Sequence, residues 1–138
     1  MDGTIDRRQP PVVLVVGDQP GAVEIMCRLL ARHGLRSVRA SEVTPALEES
    51  AHTLPRCIVV DLPHAGLGSA LQLLDLVRSH DDDRVSSCRV LVLEAATNRE
   101  VLLAAGADAH LARPVHARDL LAAVDAALVP AGQPNSTN

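Results

Sequence analysis

The sequence predicts an α/β fold in which helices cover both faces of a parallel sheet. Short apolar runs rich in Val alternate along the chain with longer segments whose apolar residues recur at helical spacing. The runs are continuous rather than alternating between apolar and polar, which is typical of strands buried on both faces. At 138 residues and 47% hydrophobic, the chain is long and apolar enough for one domain with its own core. It contains no Phe, Tyr or Trp, so Leu, Val and Ala must fill that core.

The limits of each apolar run predict the individual elements. The predicted strands are residues 12–16, 35–40, 57–60, 90–93 and a fifth within 106–112. The predicted helices cover 20–33, a stretch from Ser41 to about His52, a segment around 71–77, 97–105 and a segment around 120–128. The strand at 35–40, LRSVRA, is the most polar, which favours an edge position. The remaining predicted loops are 62–68 and 81–83.

The two ends of the chain differ in composition from the middle. Residues 1–10 are mostly polar, and residues 130–138 are rich in Pro, Gly and Asn. Both segments are therefore predicted to be flexible tails that flank a domain at 11–129.

Charge and cysteine content narrow the class of function. The formal net charge is −4, and no basic run or aromatic platform is present, which argues against nucleic acid and anionic membranes as partners. No apolar run approaches the ~20 residues of a membrane span, so a cytoplasmic location is expected. The three cysteines, Cys27, Cys57 and Cys88, are far apart in apolar segments, which predicts buried thiols rather than metal ligands or disulfides.

Charged residues follow several of the predicted strands directly. Asp18, Asp61, Glu94 and Arg113 come just after the first, third, fourth and fifth strands. Because ligands of open parallel sheets bind beyond the carboxyl ends of the strands, we expect these side chains to share one crevice. Three carboxylates there would repel one another unless a cation or the Arg113 guanidinium offsets their charge, and a hard divalent ion suits such a crevice.

Four segments of the chain resemble the receiver domain of response regulators in bacterial two-component signalling. They are VVLVVGDQP, CIVVDLPHAGLG, VLVLEAA and GADAHLARPV. The resemblance extends over nearly all of residues 11–129, and its strongest elements are the strand-terminal Asp61, the turn at 106–108 and the pair Arg113-Pro114. It implies a flavodoxin-like (βα)₅ fold, with a doubly wound parallel sheet of five strands in the order 2-1-3-4-5.

The resemblance also implies roles for individual residues. Asp61 would accept a phosphoryl group from a histidine of a partner or from a small phosphodonor. Asp18, Asp61 and the backbone carbonyl of Pro63 would bind Mg²⁺, which neutralises charge on the transferring oxygens.

The sequence departs from the family pattern in its site. Gly17 stands where a second acidic residue is usual, which predicts weaker Mg²⁺ binding, and Glu94 replaces a Ser or Thr whose hydroxyl contacts the phosphoryl group. Arg113 replaces a Lys, and its guanidinium fork favours a clamp on Asp61 or Glu94. His110 stands at the position of the switch aromatic, and the segment 95–105 is shorter than the family pattern. We therefore expect an atypical site in which Arg113 and Glu94 lie close enough to pair.

The resemblance implies a signalling domain of a phosphorelay and not an enzyme, with at most self-catalysed phosphoryl transfer and autodephosphorylation. A histidine kinase or phosphotransfer protein would supply the phosphoryl group. Output would pass to a downstream effector protein, because the chain has no room for an output domain of its own. The oligomeric state stays open. The alternative is a phosphorylation-independent pseudo-receiver that acts as a protein-interaction module.

Two cofactor sites are less well supported by the residues. Flavodoxin-like cobalamin domains use Asp-x-His-x-x-Gly, and Asp61 and Gly66 fit this spacing, but Pro63 stands at the histidine position and His64 lies one residue late. The loop after the first strand lacks the glycine cluster or Ser/Thr run of a flavin phosphate site.

Overall fold

The computed structural model describes residues 11–129, and within them five strands form one parallel sheet. The strand order is β2-β1-β3-β4-β5, which confirms the predicted doubly wound topology and the edge position of the second strand. The strands are β1 (Val12–Gly17), β2 (Arg36–Ala40), β3 (Cys57–Asp61), β4 (Arg89–Glu94) and β5 (Ala109–Ala112). The predicted tails, 1–10 and 130–138, lie outside the described residues.

Helices divide unequally between the two faces of this sheet. In the described range they are α1 (Pro20–Arg32), α2 (Val43–Thr53), α3 (Leu67–Arg78), α4 (Asp83–Ser86), α5 (Arg99–Ala104) and α6 (Ala117–Ala127). Apolar side chains of α1 and α6 pack on one face, and those of α2, α3, α4 and α5 pack on the other. None of the helices in 11–129 is both long and apolar enough to cross a membrane.

The central strands are buried on both faces, as their continuous apolar runs predict. In β1, Leu14 and Val16 belong to the core beneath α2 and α3, whereas Val13 and Val15 belong to the core beneath α1 and α6. All four side chains are fully buried. A sheet packed on both sides by small aliphatic residues needs no aromatic side chain to fill its layers.

Several boundaries differ from the prediction. Leu67 and Gly68 belong to α3 rather than to a loop, because Gly66 turns the chain with a positive φ of 91° and the helix begins directly after it. The predicted loop at 81–83 leads into the short helix α4, where the Asp82 carboxylate accepts a hydrogen bond from the Arg84 backbone N–H at 2.9 Å. The predicted helix at 97–105 is a 3₁₀ turn followed by α5.

All three cysteines are buried and free, as expected from their apolar surroundings. Burial raises the pKa of Cys57 to about 12 and that of Cys88 to about 11. Both thiols are therefore protonated and unreactive at neutral pH.

Arg78 binds the chain at the amino-terminal ends of β4 and β5. Its guanidinium donates to the Gly106 carbonyl from Nε at 3.0 Å and from Nη2 at 2.7 Å. Nη1 donates to the carbonyls of Ser86 and Cys88 at 3.0 and 2.7 Å, and Nη2 pairs with the Asp108 carboxylate at 2.7 Å. One side chain of α3 thereby joins the segments that enter β4 and β5.

We expect Arg78→Met to lower the free energy of unfolding by about 2–4 kcal/mol, because it removes a donor from three carbonyls and one of the partners of the Asp108 carboxylate. Urea denaturation measures this change. Arg118→Ala, which removes an exposed arginine of α6, should stay within about 0.5 kcal/mol of the wild type. Equal stability of the two variants would show that the hydrogen bonds of Arg78 do not stabilise the fold.

Candidate functional site

Asp61 is the last residue of β3 and lies at the carboxyl edge of the sheet. Its backbone pairs with Gly17 of β1 and with Leu93 of β4, so strands on both sides fix its position. The residue is only 7% exposed. A carboxylate buried to this extent needs a compensating charge or hydrogen-bond donors.

Arg113 supplies that charge from the end of β5. Its Nη2 and Nε both donate to Asp61 Oδ1, at 2.7 and 3.1 Å. The other oxygen, Oδ2, accepts no hydrogen bond from any residue of the range 11–129. Arg113 therefore binds one oxygen of the carboxylate and leaves the second as the one an incoming group could reach.

Glu94 lies on the third arm of the same guanidinium. Arg113 Nη1 approaches Glu94 Oε1 at 3.5 Å, a long and mainly electrostatic contact, so the expected pairing is present but weaker than the pairing with Asp61. Glu94 Oε1 also accepts a hydrogen bond from the Ala95 backbone N–H at 2.8 Å. Two buried carboxylates thus share one arginine.

His110 binds the backbone beside Glu94. Its Nε2 lies 3.1 Å from the carbonyl oxygen of Glu94 and 3.1 Å from that of Ala95. Because both partners are acceptors, Nε2 must carry the proton. The residue is buried on β5, opposite Val92 of β4. The hydrogen bonds of His110 could not be predicted from the sequence, which shows only an isolated histidine in an apolar segment.

Asp18 binds the backbone of the loop after β3. Its Oδ2 accepts hydrogen bonds from the backbone N–H groups of His64 and Ala65, at 3.1 and 2.7 Å. The carboxylate therefore holds the loop that contains Pro63. Of the predicted site residues, the structure brings Asp61, Glu94 and Arg113 into direct contact and gives Asp18 a separate set of partners.

An apolar groove of about 310 Å³ leads to this site between α1 and α6. Asp61 and Arg113 lie in its lining together with Met26 and Leu29 of α1. Ile25, also in the lining, is 62% exposed, which is unusual for an aliphatic side chain of its size. The buried carboxylate is thus reached along an apolar surface.

The chain is similar to known proteins in its structure. Neither protein-family models nor curated proteins match the sequence. A protein described as a response regulator from Chloroflexus aurantiacus J-10-fl is similar at a TM-score of 0.77 and 25% identity, with 86% of this chain and 97% of that chain covered. The Francisella response regulator 1452 receiver domain gives a TM-score of 0.74 and 23% identity, with coverages of 85% and 95%.

The chain has the receiver-domain fold. A further neighbour is the receiver domain of the sensor histidine kinase PA1611 from Pseudomonas aeruginosa PAO1, with a TM-score of 0.72, 21% identity and coverages of 85% and 96%. That receiver domain holds a magnesium ion in its active-site cleft.

In the structure, other groups of the protein bind the side chains that the resemblance assigns to Mg²⁺. Nowhere in residues 11–129 do three His, Cys, Asp or Glu side chains form a group that could hold a metal ion. Asp18 is bound to backbone amides, and Asp61 is bound to a guanidinium. Arg113 supplies a positive charge at Asp61.

The structure leaves no space for a side chain at position 17. A Cβ atom built on Gly17 would clash with Cγ2 of Val23 and would lie 3.3 Å from the carbonyl oxygen of Asp61. Val23 is a β-branched residue in α1, so it has few other rotamers to adopt. The space of the expected second acidic residue is thus already filled by the core.

We expect Gly17→Ala to lower the free energy of unfolding by about 1–3 kcal/mol through overpacking against Val23. In a Val23→Ala background the same substitution should cost at least about 1 kcal/mol less, since the clashing methyl group is absent. Urea denaturation of the four variants gives this coupling energy. Additive effects of the two substitutions would contradict the steric explanation.

Proposed function

We propose that the chain is a receiver-type signalling domain of a two-component pathway, in which Asp61 accepts a phosphoryl group and output passes through contacts with other proteins. The observation that carries the proposal is the placement of Asp61, a carboxylate at the end of a buried central strand with a guanidinium at 2.7 Å. The proposed partners are a histidine kinase or phosphotransfer protein and a downstream effector, in the cytoplasm.

The chemistry requires only groups that Asp61 and its neighbours can supply. A carboxylate oxygen attacks phosphorus, the bond from phosphorus to the donor breaks, and an acyl phosphate remains on Asp61. Charge spreads over the equatorial phosphoryl oxygens during the transfer, and a guanidinium can stabilise it. Arg113 is placed for this role, provided that it turns part of its fork from Asp61 Oδ1 to the phosphoryl oxygens.

The groove between α1 and α6 supports a protein donor rather than a small molecule alone. It is lined by apolar residues of both helices and ends at Asp61 and Arg113. An exposed apolar surface beside a reactive group is typical of protein–protein contact. A donor helix or loop seated there would bring its phosphorylated side chain close to Asp61.

A second candidate function is a phosphorylation-independent interaction module. It is favoured by the state of Asp61, whose carboxylate is already neutralised by Arg113, and by Val23, which fills the space beside Gly17. In this alternative the ion pair has a structural role, and the same surfaces bind partners without a covalent change.

Treatment with acetyl phosphate, with and without Mg²⁺, should distinguish the phospho-acceptor function from the phosphorylation-independent interaction module. We expect the intact mass of the chain to rise by one phosphoryl group, since acetyl phosphate is a small donor that needs no docking surface. Asp61→Asn should abolish the increase, because an amide is not a phosphoryl acceptor. Asp81→Asn, which alters an exposed aspartate, should leave it unchanged.

No mass change at saturating donor, or a change that persists in Asp61→Asn, would reject the phospho-acceptor function. A folded, unmodified chain that still binds its partner would then support the interaction module.

Glu94→Thr should increase phosphorylation of Asp61. The substitution removes a negative charge beside the incoming phosphoryl group, adds a hydroxyl donor, and frees Nη1 of Arg113. The measurement is the initial rate of acyl phosphate formation, compared with Glu100→Thr, which removes an exposed negative charge from α5. Equal rates for the wild type and Glu94→Thr would leave Glu94 without an inhibitory role.

A further inference from the structure

We propose that the Glu94 carboxylate is a resident anion that occupies an oxyanion site beside Asp61. The proposal goes beyond the function proposed above, because it does not require Asp61 to be phosphorylated.

The site consists of two donors that converge on one oxygen. The Ala95 backbone N–H lies 2.8 Å from Glu94 Oε1, and Arg113 Nη1 lies 3.5 Å from the same atom. A backbone amide beside a guanidinium is a suitable pair of donors for a carboxylate or phosphate oxygen.

The same guanidinium places this site next to Asp61. Arg113 binds Asp61 Oδ1 through Nε and Nη2, so the two carboxylates occupy different arms of one planar group. An anionic group added to Asp61 would compete with Glu94 for Arg113. Glu94 therefore already satisfies the donors toward which such a group would turn.

The backbone around the site does not depend on the Glu94 side chain. The Glu94 carbonyl accepts hydrogen bonds from His110 Nε2 at 3.1 Å and from the Arg113 backbone N–H at 3.2 Å. The Ala95 carbonyl accepts from the same His110 nitrogen. None of these bonds uses the carboxylate, so we expect the two donors to remain in position and become vacant when it is removed.

Truncation should therefore create a binding site for a small oxyanion. We expect Glu94→Ser, in the full chain, to bind acetate or inorganic phosphate saturably, with an affinity at least about tenfold above that of the wild type. The measurement is a titration followed by heteronuclear NMR at the Ala95 amide and the Arg113 Nε–H group, without phosphodonor or Mg²⁺.

The matched control is Glu94→Gln. It removes the same charge as Glu94→Ser, but its amide oxygen can still accept from Ala95 and Arg113, so the site stays filled and no saturable shift is expected. Adding Arg113→Met to Glu94→Ser should abolish binding, because it removes the cationic donor.

Equal responses of the Ser and Gln variants would overturn the proposal, because they would reflect a change in charge alone. A folded Glu94→Ser chain with no saturable shift would overturn it as well. If Glu94→Ser does not fold by itself, refolding upon addition of phosphate supports the proposal, and failure of both Glu94→Ser and Glu94→Thr to fold in phosphate contradicts it. Absence of acyl phosphate on Asp61 bears only on the phospho-acceptor function, since no phosphodonor is used in this titration.

Discussion

Burial of the central strands on both faces is the constraint from which the rest of the site follows. Because β1, β3 and β4 lie between two helical layers, the residues at their carboxyl ends are shielded from water as well. Asp61 and Glu94 end two of these strands and are both buried. Their charges need compensation within the protein, and Arg113 is the side chain that provides it to both.

The sequence predicts the fold well because the signal for it is local. A continuous aliphatic run specifies a central strand, and parallel pairing then aligns the carboxyl ends, so the proximity of Asp61, Glu94 and Arg113 could be inferred before any coordinates. The orientation of Asp18 could not be inferred from the sequence, since it depends on which backbone amides the loop after β3 presents. The hydrogen bonds of His110 likewise depend on the path of the chain after β4.

Residues at the site that differ from the receiver pattern are in contact with neighbouring residues of the fold. Val23 fills the volume beside Gly17, so a larger residue there requires Val23 to move. Asp18 binds the backbone of the next loop. Arg113 places a positive charge against Asp61. Two departures from the receiver pattern, Gly17 and Arg113, thus each have a close partner in the structure, Val23 and Asp61.

The two edge strands of the sheet, β5 and β2, differ in the contacts that bind them to the rest of the fold. Near β5, Arg78 binds Gly106 and Asp108 before the strand, and Arg113 donates to the Glu94 carbonyl after it, so this edge is secured at both ends. The edge strand β2 carries the exposed Arg36 and Arg39, and Arg39 binds Glu24 of α1 at 3.1 Å in a solvent-exposed ion pair, which contributes little to stability. Opening fluctuations of the native state should therefore begin at β2, and its arginines discourage another strand from pairing with the edge when it is exposed.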